Sequence, residues 1–208
     1  MAHQTMIGGT KYSIAGGKSM VSGTSYTISL GKTKINGTTY DITFKPPVYA
    51  MLYDDGNMVF QQGNEVEEGK TLVNSYKGFI GKSYSYYSQA PWKGQCNDIK
   101  NISFNNISTA SIAYWFYTCK NLISVNYSGF DIEKLTSMQY AYDGCRSLTG
   151  SPVCGNKVAN MWGTYINCRN LTGSPACGPN VINMSSTYKF CINLTGSPVC
   201  GPNVTSMT

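Results

Sequence analysis

Charge is scarce in this chain. Only 12% of its 208 residues are charged, about half the ordinary share, which excludes a Glu/Lys-rich coiled coil. A single histidine, His3, and ten acids leave Ser–His and Cys–His catalysis without a base in the body of the chain. No apolar run approaches the roughly 20 residues of a membrane span. The opening Met1-Ala-His-Gln-Thr-Met-Ile-Gly-Gly lacks both regions of a secretory signal, so export by that route is not expected. Cys-x-x-Cys is absent among the eight cysteines, so neither a metal site nor a cofactor is expected. Gly-Lys-Ser/Thr occurs at Gly17, Gly31, Gly69 and Gly81, but the further glycine of a phosphate loop is replaced by Tyr12, Tyr26, Asn64 and Tyr76. These four read as turns.

What the chain does have is apolar and aromatic. Hydrophobic residues make up 41%, with 16 tyrosines and 22 glycines, too apolar for a charged disordered tail. The net charge of +6 is uneven: +3 over residues 1–44, −1 over 45–143 and +4 over 144–208, which holds Arg146, Lys157, Arg169 and Lys189 and no acid. Four dispersed cations make no nucleic-acid stripe, so nucleic-acid binding is not expected.

Two sets of internal repeats organise the chain. Gly9-Thr-Lys-Tyr12-Ser-Ile14, Gly23-Thr-Ser-Tyr26-Thr-Ile28 and Gly37-Thr-Thr-Tyr40-Asp-Ile42 recur every 14 residues. Their apolar/polar alternation and turn dipeptides predict short β-hairpins over residues 1–44, with the three glycines at equivalent turns. Pro46-Pro47 marks a boundary. Further on, Cys145, Cys168 and Cys191 are 23 residues apart, as are Cys154, Cys177 and Cys200, around three copies of Leu-Thr-Gly-Ser-Pro-x-Cys-Gly. Leu135, Met138, Tyr142 and Cys145 match Val158, Met161, Tyr165 and Cys168, then Val181, Met184, Tyr188 and Cys191. That spacing predicts one face of a three-turn helix in each unit, and an older copy ends at Cys119. The last copy stops at Thr208 before its Tyr and Cys, and reads as an incomplete repeat or one closed by a partner.

The string Asn-Val-x-x-Met-x-x-x-Tyr-x-x-Cys-x-x-Leu-Thr resembles the BspA-type leucine-rich repeats of bacterial surface proteins, over about 112–208. The hairpin repeats resemble segments of tail-associated proteins of phages infecting Gram-positive gut bacteria. Repeat size and resemblance together predict a β-rich hairpin-repeat module at 1–44 for attachment, a β-rich connecting segment at 45–111, and an α/β leucine-rich-repeat solenoid at 112–208 with a short strand plus a helix per 23–26-residue coil.

The implied function is non-enzymatic recognition: a phage tail-associated protein that presents the repeat surface to its host, located on the virion. A bacterial cell-surface adhesin is the alternative. A wall-degrading tail enzyme is the third reading, with no site beyond the turn-like Asp54-Asp55. Residues 1–44 would contact other virion or surface-assembly proteins, the repeats a bacterial surface glycan or protein, and homo-oligomerisation is expected. Trp162 stands where other copies have Gln139 and Ser185, so it is expected to be exposed. With Arg146, Arg169 and Lys189 it forms the predicted ligand-binding set. Cys119, Cys145, Cys168, Cys191, Cys154, Cys177 and Cys200 are predicted to form stacked ladders, with buried free thiols the simpler reading and some disulfides the second. Tyr84, Tyr86 and Tyr87 before Trp92 are a further aromatic candidate.

Overall fold

The computed structural model describes backbone pairing at residues 4–7, 10–13, 29–35 and 38–43, and residues 46–82, 84–86, 88–175, 177–196 and 200–208. The chain divides into two units, Met1–Pro46 and Pro47–Thr208. In the first, β1 (Gln4–Ile7) pairs antiparallel with β2 (Thr10–Ser13). Likewise β3 (Ser29–Ile35) pairs with β4 (Thr38–Thr43), with an irregularity between Ser29 and Lys32. The expected turn positions Gly9, Gly23 and Gly37 lie outside the described residues.

The second unit opens with β5 (Val48–Tyr53), β6 (Asn57–Gln62), β7 (Leu72–Lys77), β8 (Asn101–Phe104) and β9 (Ser124–Asn126). They form one mixed sheet in the order β7-β5-β6-β8-β9, antiparallel around β5 and parallel from β6 to β9. Alternate residues of β5 and β6 serve two cores, because successive strand side chains point to opposite faces. Ala50, Leu52, Met58 and Phe60 enter the main core, while Met51, Tyr53 and Val59 form a small second cluster. Phe60 packs against Phe79, Trp92, Phe104, Trp115 and Phe116 at ring separations of 5.1–6.0 Å. The Trp92 indole donates to the Trp115 carbonyl at 2.6 Å.

From Ser111 onward the repeats stack as coils joined by parallel single-residue bridges, Ser111 to Ser137 to Asn160 to Asn183 to Ser206. Here the expectation of an α/β leucine-rich-repeat solenoid is corrected. No α-helix occurs among the described residues, only short 3-10 turns at Lys93–Gln95 and Ile132–Lys134. The apolar stripe read as a helix is instead a run of turns, for two physical reasons.

First, alternate backbone N–H groups bond to the next coil rather than along their own: Met138 to Asn160 (2.9 Å), Tyr140 to Trp162 (2.9 Å), Tyr142 to Thr164 (2.9 Å) and Gly144 to Ile166 (2.7 Å). Between them, three-residue turns close from Met138 O to Ala141 N (2.9 Å) and from Tyr142 O to Cys145 N (3.0 Å). Second, two positions in each of four successive coils are left-handed: Tyr114 (φ 59°), Tyr140 (50°), Gly163 (62°) and Ser186 (53°), then Thr118 (59°), Gly144 (76°), Asn167 (58°) and Phe190 (64°). An L-residue helix cannot continue through such a backbone. The start of each run is fixed by a short polar side chain: Asn160 Oδ1 accepts from Trp162 N at 3.0 Å and Asn183 Oδ1 from Ser185 N at 2.9 Å.

The inward side chains nonetheless form continuous columns. Met138, Met161 and Met184 are buried. Phe116, Tyr142, Tyr165 and Tyr188 stack at 5.5, 5.5 and 5.6 Å with nearly parallel rings. Buried Thr187 donates to the carbonyls of Met161 and Met184, both at 2.8 Å, and so ties two coils together. At one tight approach between coils only glycine fits: a Cβ on Gly178 would lie 2.6 Å from the Gly155 carbonyl oxygen and 3.1 Å from Cys154 Sγ.

Gly178→Ala is therefore expected to cost about 1–3 kcal/mol by overpacking. Gly94→Ala, where an added Cβ meets nothing within 4 Å, is expected to change stability little; urea denaturation of both variants checks the contrast.

Candidate functional site

The turn runs carry half-buried aromatic side chains at their left-handed corners. Tyr114 and Tyr140 occupy the first left-handed position of successive coils, which glycine takes in the third. A positive φ on a bulky residue is costly, on the order of 1–3 kcal/mol, and is held only where the surroundings impose it. The Tyr140 ring in turn lies where a Cβ on Gly163 would fall, so the glycine makes room for it.

Around Tyr140 three rings gather. Its centroid is 5.1 Å from Tyr114, 6.5 Å from Tyr117 and 5.2 Å from Trp162, and Tyr114 is 5.9 Å from Tyr117. All three tyrosines are half-buried, and Trp162 is 40% exposed. Lys93 braces the cluster: its Nζ donates to the Tyr117 carbonyl (2.9 Å) and to Thr118 Oγ1 (2.6 Å), and lies 5.3 Å from the Tyr117 ring centroid. Beside Trp162, Asn160 Nδ2 donates to Gln139 Oε1 at 3.1 Å.

Asp143 is an acid within this region. It is half-buried, and burial alone pushes its carboxyl up to about 6. No hydrogen bond or ion pair reaches that carboxylate among the described residues. Tyr140 is raised by burial, with smaller contributions from Tyr114, Asp143 and Tyr117, so these groups act on one another. A lone carboxylate beside phenols and an exposed indole can accept hydrogen bonds from hydroxyls while the rings take apolar ligand faces.

The residues expected from the sequence are dispersed by comparison. Trp162 is exposed and joins the ring cluster. Arg146 and Arg169 are exposed at equivalent places in successive coils, their N–H groups bonded to the carbonyls of Gly144 and Asn167, both at 2.9 Å. Neither forms a cation–π pair with Trp162 among the described residues. Lys189, also exposed, lies 5.4 Å over the ring of its neighbour Phe190. Of the other aromatic candidates, Tyr84 and Trp92 are buried in the core and Tyr86 is exposed, while Tyr87 lies outside the described residues. Tyr114, Tyr117, Tyr140 and Asp143 were not singled out from the sequence. Comparison of copies offers a partial signal for Tyr140: the later copies have Gly163 and Ser186 at its position, although the earlier copy has Tyr114.

The cysteines form two columns. Cys145, Cys168 and Cys191 are free and point their Sγ at the carbonyls of Phe116 (3.1 Å), Tyr142 (3.0 Å) and Tyr165 (2.9 Å) in the preceding coil. Cys154 and Cys177 accept from the N–H groups of Gly178 (3.2 Å) and Gly201 (3.3 Å). Burial raises the Cys145 and Cys168 thiols strongly and the Cys154 and Cys191 thiols to about 11, so all four stay protonated near neutral pH. Cys119 departs from the free-thiol reading: it is disulfide-bonded to Cys96, 23 residues earlier. That bond exposes a copy the sequence did not announce, in which Trp92, Cys96 and Ile99 match Trp115, Cys119 and Leu122. No group of three or more His, Cys, Asp or Glu is placed to hold a metal among the described residues.

Two measurements follow. Alkylation under native conditions is expected to modify Cys200, the exposed thiol, first, and alkylation after unfolding without reductant to leave Cys96 and Cys119 linked, as read by mass spectrometry. Raising Asp143 from 3.8 to about 6 means the folded protein binds the extra proton between those values, so stability falls as pH rises through that window and the cost is complete above it. Asp143→Asn is expected to raise stability at neutral pH by about 1 kcal/mol after allowing for solvent screening, or about 2–4 °C in Tm, with the gain vanishing near pH 3.5. Thermal melts across pH check the sign.

Compared with known proteins, the chain matches no family model, no curated protein and no solved structure.

Proposed function

We propose that this chain is a recognition protein that acts by binding, as part of a phage tail or tail-like assembly that meets a bacterial surface. The observation that carries the reading is the outward Tyr140–Trp162 pair, ringed by Tyr114 and Tyr117, on a stack whose backbone is tied coil to coil. Exposed aromatics on a rigid support are what binding surfaces use as anchors, because few side-chain rotamers are lost on contact. The resemblance of the 14-residue hairpin repeats to tail-associated segments supports the particle, with residues 1–44 as the attachment module. Among the described residues no helix is long and apolar enough to cross a membrane. The cations of residues 144–208, Arg146 and Arg169 among them, would add dispersed attraction to an anionic wall, screened by salt.

The test is co-sedimentation of labelled full-length chain with a panel of Gram-positive gut bacteria across a salt series. Binding is expected to fall about tenfold in Trp162→Ala, and Arg146→Ala with Arg169→Ala is expected to weaken it mainly at low salt. Absence of binding to every strain, or binding indifferent to Trp162→Ala, overturns the reading.

A further inference from the structure

The ring cluster does not end in bare hydrocarbon. Within one neighbourhood lie three phenols, an indole, a half-buried carboxylate without a partner among the described residues, and an amide pair. Gln139 uses its Oε1 to accept from Asn160, which leaves its amide N–H groups as donors. Asn160 Oδ1 is taken by Trp162 N at 3.0 Å, so this amide is locked in place beside the indole. The site thus offers flat apolar faces flanked by fixed, short-range donors and acceptors.

We propose that Tyr140 and Trp162, with Asp143 and Gln139 at their margin, bind the pyranose rings of a neutral surface glycan; this rests on the recognition reading above and names its ligand class. A sugar ring has an apolar C–H face and a rim of hydroxyls, and both are needed to match this surface. The aromatic faces take the C–H side. Asp143, which can only accept when ionised, takes hydroxyl protons and disfavours an anionic ligand directly at the cluster.

Two features point to selection for the ligand rather than for folding. Tyr140 holds a left-handed backbone that glycine fills in the next coil, and Asp143 is partly desolvated without compensation among the described residues. Both cost stability where they stand, and the Asp143 charge acts on Tyr140 at the centre of the ring cluster.

The probes are neutral hexopyranose and N-acetylhexosamine tetrasaccharides, titrated into the full chain by calorimetry and by tryptophan fluorescence. Trp92 and Trp115 are buried and Trp162 is exposed, so ligand protection from a soluble quencher reports Trp162. At least one tetrasaccharide is expected to bind and to protect that fluorescence. Tyr140→Gly removes the ring while suiting the backbone, so the fold is retained, and it is expected to weaken binding about tenfold or more. Asp143→Asn is expected to weaken it several-fold without loss of stability. Failure of every tetrasaccharide to bind, or binding unchanged in Tyr140→Gly, overturns the proposal. Cell binding that survives periodate cleavage of sugar diols but not protease also overturns it, while leaving the recognition reading intact.

Discussion

Everything in the repeat region depends on one commitment: alternate backbone N–H groups of a coil bond to carbonyls of the next coil. A helix satisfies its own N–H groups internally and needs its neighbours only for packing. These coils cannot, since each turn run is left with donors that only another coil accepts. A single unit is therefore incomplete in its hydrogen bonds as well as in its core, which makes stacking obligatory rather than merely favourable. The ladder also sets the spacing between equivalent side chains, and this is why tyrosines stack near 5.5 Å and threonine hydroxyls reach two coils at once.

The same ladder explains the outward face. Keeping every second N–H for the next coil requires the chain to reverse twice within the run, and left-handed residues make those reversals. Where glycine sits at such a position it makes room for a neighbour, as Gly163 does for the Tyr140 ring. Where tyrosine sits there, at Tyr114 and Tyr140, a half-buried ring is held at a cost to the backbone. Stacking then brings rings from successive coils against each other, with Trp162 at the edge. The aromatic cluster thus arises at backbone positions that favour glycine, where tyrosine stands against that preference.

The sheet and the coils are one continuous system within residues 47–208. Parallel pairing of β6 with β8 and β8 with β9 leads directly into the bridges from Ser111 to Ser206. Trp92, Trp115 and Phe116 meet Phe60 at that junction, so the aromatic core of the sheet closes the first end of the stack. The Cys96–Cys119 bond links the first two coils at this junction.

From the residues alone, the 23-residue period, the buried identity of Met138, Met161 and Met184, and the exposure of Trp162 are legible. Each follows from comparing copies: positions that stay apolar pack inward, and a position free to change does not. The backbone is another matter. Apolar spacing of i, i+3, i+7 and i+10 suits an α-helix, and equally a run of turns with left-handed corners, because both bring those side chains to one side. Which of them forms depends on whether an N–H bonds within its own run or to a carbonyl 22 residues away, as Met138 does to Asn160, and no local pattern carries that. The early copy at Trp92–Ile99 hid for a related reason: its resemblance to 115–122 rests on three residues, and only the stacked partner and the bonded cysteines make it a coil. Likewise Tyr114, Tyr117 and Asp143 are ordinary residues along the chain and become neighbours of Tyr140 through the stacking of coils, which only the tertiary structure decides.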